Sequence, residues 1–227
     1  MSIRDKFIQN FIEEDRYMYL VEGLGTTFTI TIFAALIGIV LGFLVAIIRS
    51  TADKTGKLKI LDAICKAYLT IIRGTPAMIQ LLIMFYVVFV SSNNKVFVAV
   101  MTFGINSGAY VAEIVRSGIM SVDNGQMEAG RSLGFNYTQT MWYVIMPQAF
   151  KNVLPALVNE FIVLLKETSI CGYIGLMDLT RGGDIIRSRT YEAFFFLFAV
   201  AIIYLVIVML LTAFVNRLER RLRASER

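Results

Sequence analysis

Long apolar runs broken by short polar segments set the organisation of this chain. A membrane-spanning helix needs about 20 apolar residues, and residues 26–48 and 193–215 each supply that length without a charged side chain. Residues 96–120 and 149–170 are also mainly apolar, with isolated polar positions, and Pro155 predicts a kink in the second of these. The region 60–90 is apolar but punctuated by Asp62, Lys66 and the run Arg73-Gly74-Thr75-Pro76. Residues 76–90 would cover about 22 Å as a helix, short of a hydrocarbon core of about 30 Å. The pattern therefore predicts one bent span that begins before Arg73, with Thr75 as an N-cap and Pro76 in the first helical turn. The expected fold class is an all-α membrane protein with five transmembrane helices.

Residues 1–20 differ from the rest. Phe7, Ile8, Phe11 and Ile12 recur on one helical face among many charges, which reads as an amphipathic helix on the membrane surface and not as a cleavable signal peptide. Residues 21–215 form the expected transmembrane domain, and Gly38 and Gly42 make a GxxxG that lets another helix approach. Charge orients it. Residues 49–59 hold four basic and one acidic side chain, the tail 216–227 holds five basic and two acidic, and the segment before the first span is net acidic. The positive-inside rule then places the N-terminus outside and the C-terminus in the cytoplasm, together with the loop 121–148. In the external loop 167–192, residues 172–179 are the candidate for a short helix.

Composition supports lipid contact: 57% of residues are hydrophobic and only 17% charged. The net charge of +5 is spread through the inter-span segments, not gathered in a basic patch, so nucleic acid is excluded as a partner. With no histidine, His-based catalysis and His-ligated metal are excluded as well. Cys65 and Cys171 lie far apart with no metal-binding spacing and read as ordinary apolar positions. The chain has no GxxxxGK[ST] phosphate loop, no paired acids and no nucleophile with a base. No catalytic residue, metal site or cofactor of its own is expected.

The loop 121–148 is the most informative segment. Asp123 is placed to cap a short helix, with Gln126 reaching back in a capping box, and Gly134 is suited to end it. The sequence runs Glu128-Ala129-Gly130-Arg131-Ser132-Leu133-Gly134, and then nine residues later Val144-Ile145-Met146-Pro147. This resembles the EAA motif of ABC importer permeases in every spacing, with Gly130 at its third position in place of alanine, Val144 in place of isoleucine and Met146 in place of leucine. Arg73-Gly74-Thr75-Pro76 with Gln80, the run 107–116, the runs Asn159-Glu160-Phe161 and Leu165-Lys166-Glu167-Thr168-Ser169, and the tail Leu218-Glu219-Arg220-Arg221-Leu222 are similar to the polar amino acid subfamily. The resemblance covers about residues 20–222.

It implies a type I importer permease fold in the cell (inner) membrane. It also implies a second permease subunit, expected to be identical, and two cytoplasmic ATPase subunits that carry ATP and Mg. An external binding protein would deliver the amino acid. Residues Glu128, Ala129, Gly130, Arg131, Ser132, Leu133 and Gly134 would form the helix that couples the permease to the ATPase.

Ionisable groups inside a membrane are costly and face protein or water. Glu160 lies eight residues after Asn152, about 12 Å along a helix, near mid-membrane. Asn152, Asn159 and Lys166 recur every seven residues as a polar stripe, and Asn106, Tyr110 and Glu113 share a face of the preceding span, flanked by Ser107 and Arg116. The candidate substrate residues are Glu160 for the cationic group, Asn159, Asn106, Ser107 and Tyr110 for hydrogen bonds, and Arg116 or a helix-end amide for the carboxylate. A carboxylate at this point favours arginine, lysine or a similar basic substrate. The structural alternatives are a Glu160–Lys166 pair, a Glu113–Arg116 pair, Tyr110 in plain packing and Arg73 as a leaflet anchor. An ion-coupled transporter or channel is the alternative function, and association with an ATPase separates the two.

Overall fold

The computed structural model describes residues 2–224, and every regular element among them is helical. Helix α1 (Ile3–Phe7) leads through a π turn, Ile8–Ile12, and a 3-10 turn, Glu13–Asp15, into α2 (Tyr17–Thr55). Helices α3 (Lys59–Gly74) and α4 (Ala77–Ile83) follow, then α5 (Lys95–Met120), α6 (Asn124–Ser132), α7 (Tyr137–Thr140) and α8 (Met146–Glu167). Helices α9 (Leu179–Thr190) and α10 (Ala193–Ala224) complete the chain. Residues 225–227 of the expected tail lie outside the described residues, and through Ala224 the tail continues α10.

Helices α2, α5 and α10 are long and apolar enough to cross a membrane, and the α3–α4 pair adds a fourth candidate if it counts as one span. The expected fifth, α8, has 22 residues but carries Lys151, Glu160, Lys166 and Glu167. It runs through Pro155 as a single helix, preceded by a π turn over Met141–Ile145. The α3–α4 pair bends by 109°. Its break differs in detail from expectation: Thr75 closes α3, with its hydroxyl donating to Ile71 O at 2.8 Å, and Pro76 is the residue that caps α4. Thr75 is extended (φ −123°, ψ 144°), as the residue before a proline tends to be. The short helix of the 167–192 loop also sits later than expected, because residues 168–174 form a 3-10 turn and α9 starts at Leu179. Asp178 caps α9 by accepting from the Thr180 and Arg181 amides, and its burial raises its pKa despite those donors.

The spine of the fold is the α2–α5 contact, and small residues make it possible. A Cβ on Gly38 would lie 2.9 Å from Ser107 Cβ, and one on Gly42 would lie 2.5 Å from Val111 Cγ1. From the other side, a Cβ on Gly104 or Gly108 would meet Ile37 or Leu41. The GxxxG of α2 therefore meets a second GxxxG, Gly104 and Gly108 of α5, inside one chain. Ile30, Ala34, Leu81, Phe103 and Leu164 fill the core around it. The outer faces are apolar too. Phe33, Leu36, Val40 and Leu44 of α2 and Leu197, Ile202, Leu205 and Met209 of α10 are exposed, a surface suited to hydrocarbon.

The N-terminal segment fastens onto the α9–α10 turn. Lys6 pairs with Glu192, Glu14 with Arg189 at 3.3 Å, and the buried Thr190 hydroxyl donates to Asn10 Oδ1 at 2.8 Å. The chain turns into α2 at Glu14 and Asp15, both in the left-handed region (φ 55° and 51°). That conformation is unfavourable for these residue types. Arg16 offsets it by pairing with Glu14 at 3.2 Å and donating to Gln9 O.

Candidate substrate cavity and coupling helix

Helices α5 and α8 enclose a cavity of about 920 Å³, completed by Arg73 from the end of α3 and Glu219 from α10. Three expected residues, Tyr110, Asn159 and Glu160, line it. Ser107, fully buried, donates its hydroxyl to Glu160 Oε1 at 2.9 Å, so the carboxylate is anchored from α5. Lys166 is exposed, and Ser107 occupies only Oε1 of Glu160, leaving Oε2 open to accept.

Asn106 and Arg116 are placed elsewhere. Asn106 is buried and donates to Gln80 Oε1 at 2.9 Å. Gln80 in turn donates to Ile72 O at 2.7 Å and to Thr75 O at 3.0 Å, carbonyls that the helix break leaves without helical partners. Arg116 lines a second cavity of about 340 Å³ beside α6, with Asp53, Asp123 and Met127. It shares Glu113 with Arg73, each guanidinium 3.6 Å from a Glu113 oxygen.

Arg73 itself is the residue that sequence reasoning placed outside the site. It faces the cavity, with its guanidinium 5.8 Å from the centre of the Tyr110 ring. Lys151, Asn152 and Glu219 line the same cavity toward the start of α8. Asn152 donates to Ser121 Oγ at 2.9 Å, which links α8 to the end of α5.

The expected short helix after the third span is α6. Asp123 Oδ1 accepts from the Gly125 amide at 2.6 Å, and Gly134 (φ +86°) ends the turn as the Phe135 amide closes on Gly130 O. Gln126 does not reach back to the cap. Its Oε1 accepts from Gln148 at 3.3 Å, tying α6 to α8 instead. Glu128, Ala129, Arg131, Ser132, Leu133 and Gly134 are all exposed, and Leu133 is 77% accessible. Gly130 alone is buried, because a Cβ there would run into Thr140 Cγ2. This explains why glycine stands where the EAA pattern has alanine.

An all-helical chain with an apolar outer surface, a charged cavity between two inner helices and an exposed capped helix at one end is built as a membrane permease. The chain belongs to the family of binding-protein-dependent transport system inner membrane components, whose model matches residues 38–224. It is 37% identical to the putative glutamine transport system permease protein GlnP of Rickettsia typhi, over 91% of this chain and 94% of the relative. It is 35% identical to the arginine transport system permease protein ArtQ of Bacillus subtilis, over 92% of this chain and 94% of the relative. Among solved structures, it is similar to the crystal structure of an amino acid ABC transporter with histidines. That match has a TM-score of 0.85 and 41% identity, and covers 93% of this chain and 98% of that one. The fold is that of a type I ABC importer permease.

Proposed function

We propose that this chain is the permease subunit of an ATP-driven amino acid importer that prefers basic substrates. The observation that carries the reading is Glu160, set in a large cavity and held there by Ser107. A carboxylate so placed pairs better with an ammonium or guanidinium than with a neutral amide. Relatives named for glutamine and for arginine both support an amino acid as cargo. Five spans, counting the bent pair and α8, put the two ends on opposite sides, and the basic tail makes the C-terminus the cytoplasmic one.

Two copies of the chain form the channel, two ATPase subunits carrying ATP and Mg bind beneath it, and an external binding protein delivers the amino acid. The exposed face of α6, from Glu128 to Gly134, docks on the ATPase. When the ATPases close, α6 moves with them and the cavity changes the side to which it opens.

The test is ATPase activity of the complex reconstituted in vesicles with its binding protein, measured with arginine, lysine, histidine, glutamine and glutamate. Stimulation by the basic amino acids, lost in Glu160→Gln more than stimulation by glutamine is, supports the reading. Equal loss for both makes Glu160 structural. A chain that recruits no ATPase sinks the importer assignment, and Glu128→Lys is expected to weaken that association.

A further inference from the structure

Resting on that reading, we infer that Arg73, on the last turn of α3, is the residue that receives the α-carboxylate of the substrate. Arg73 and Glu160 line one cavity and carry opposite charge. An amino acid brings both complements at once, with a cationic group for Glu160 and a carboxylate for the guanidinium.

The charge balance leaves Arg73 able to accept an anion. Arg73 and Arg116 share the single carboxylate of Glu113 at 3.6 Å each, distances too long for strong hydrogen bonds. One negative charge between two positive ones leaves a surplus of one positive charge. Arg116 opens onto the other cavity, so Arg73 is the member of this triad that faces the substrate cavity, shared with Lys151, Glu160 and Glu219. The ring of Tyr110 lies 5.8 Å from that guanidinium, a contact that uses none of its N–H donors and leaves the fork for a bidentate carboxylate.

Reach favours Arg73 over the other cavity cation, Lys151. Tyr110 and Glu113, the two α5 residues beside Arg73, lie three and six residues beyond Ser107, so Arg73 sits about 4.5–9 Å along α5 from the anchor of Glu160. Lys151 lies nine residues before Glu160 on α8, about 13.5 Å along the axis. That separation exceeds what one amino acid bridges, whereas the Arg73–Glu160 arrangement suits a single extended molecule.

The experiment compares amino acids with the same molecules lacking the carboxylate. Arginine and agmatine, and glutamine and 4-aminobutanamide, are titrated onto the purified permease–ATPase complex without the binding protein. The native complex is expected to prefer each amino acid over its amine. Arg73→Gln should weaken the amino acids about tenfold or more and leave the amines unchanged, so that the preference disappears. Arg73→Lys keeps the charge but not the fork, and should weaken the amino acids by a smaller factor, again without affecting the amines. Arg116→Gln should preserve the preference.

Equal weakening of amino acid and amine by either Arg73 variant overturns the assignment, as does loss of the preference in Arg116→Gln alone. A native complex that binds none of the four compounds overturns the cavity as a substrate site and Arg73 with it, whereas failure to isolate a permease–ATPase complex at all removes the importer reading.

Discussion

Asn106 Nδ2 donates to Gln80 Oε1 at 2.9 Å, and through that bond α5 holds the break between α3 and α4. Gln80 spends its own donors on Ile72 O and Thr75 O, so one side chain closes the orphaned end of α3 from within α4. Ser107, the next residue on α5, anchors Glu160. Two consecutive residues thus connect the break and the cavity to the same helix.

Gln80→Leu should leave the Asn106 amide and the two α3 carbonyls without their partner. Each stranded buried group costs about 1–3 kcal/mol. A clear drop in the thermal midpoint of the purified protein is expected, with Asn106→Leu causing a smaller one because the carbonyls keep Gln80. If Gln80→Leu unfolds at the native temperature, the break is held by something else.

Gly42→Leu should force α2 away from α5, since even a Cβ would lie 2.5 Å from Val111 Cγ1. Overpacking of this kind costs about 1–3 kcal/mol. Gly25→Leu is the internal control, because a Cβ at Gly25 meets nothing within 4 Å. Equal effects of the two changes on thermal stability would contradict the packing described for the spine.

Gly130→Ala restores the EAA pattern and should nevertheless be harmful, because its methyl competes with Thr140 Cγ2 for the same space. Thr140→Ser removes that methyl and keeps the hydroxyl that donates to Asn136 O. The double variant Gly130→Ala/Thr140→Ser should recover most of the stability and coupled uptake lost in the single variant. Additive losses would show that the two positions do not interact.

The Asn10–Thr190 contact should appear as a coupling energy of about 0.5–3 kcal/mol in a double-mutant cycle of Asn10→Ala and Thr190→Ala, read by thermal or denaturant unfolding. Both side chains are buried, and Asn10 Oδ1 accepts from Thr190, whose hydroxyl also lies 3.0 Å from Ile186 O, so Thr190→Ala strands Asn10 Oδ1 while Asn10→Ala leaves Thr190 a partner. A coupling near zero would mean that the N-terminal segment rests on the turn without holding it.

The long helices were legible because uninterrupted apolar runs leave little choice of structure. Likewise, Asp123 and Gly134 marked both ends of α6 because capping is local chemistry. The placement of Arg73 was not legible. It depends on the angle of the α3–α4 break, which Gln80 and Asn106 set through contacts between residues distant in sequence. On α5, Asn106 and Ser107 both looked available for the cavity, yet adjacent residues on a helix point about 100° apart. The structure gives the cavity side to Ser107 and the break side to Asn106. The second GxxxG, Gly104 and Gly108, was readable by the same spacing rule that identified the first, and its meaning came only with its partner.

The fastening of the N-terminal segment to the α9–α10 turn has a mechanical consequence for α10. Most of that helix faces outward with little protein against it, and only 11% of its most apolar stretch is buried. Against protein it is held near its start by α9, through Phe196 and Val200, and again farther along, where Val215 is buried. Glu219, at the mouth of the cavity, lies 26 residues along that helix, about 39 Å from its start. A tilt of about 5° at the fastening moves that carboxylate by about 3 Å over such a length. The first residues of the chain thus help to set the direction of a helix that carries a cavity carboxylate near its far end.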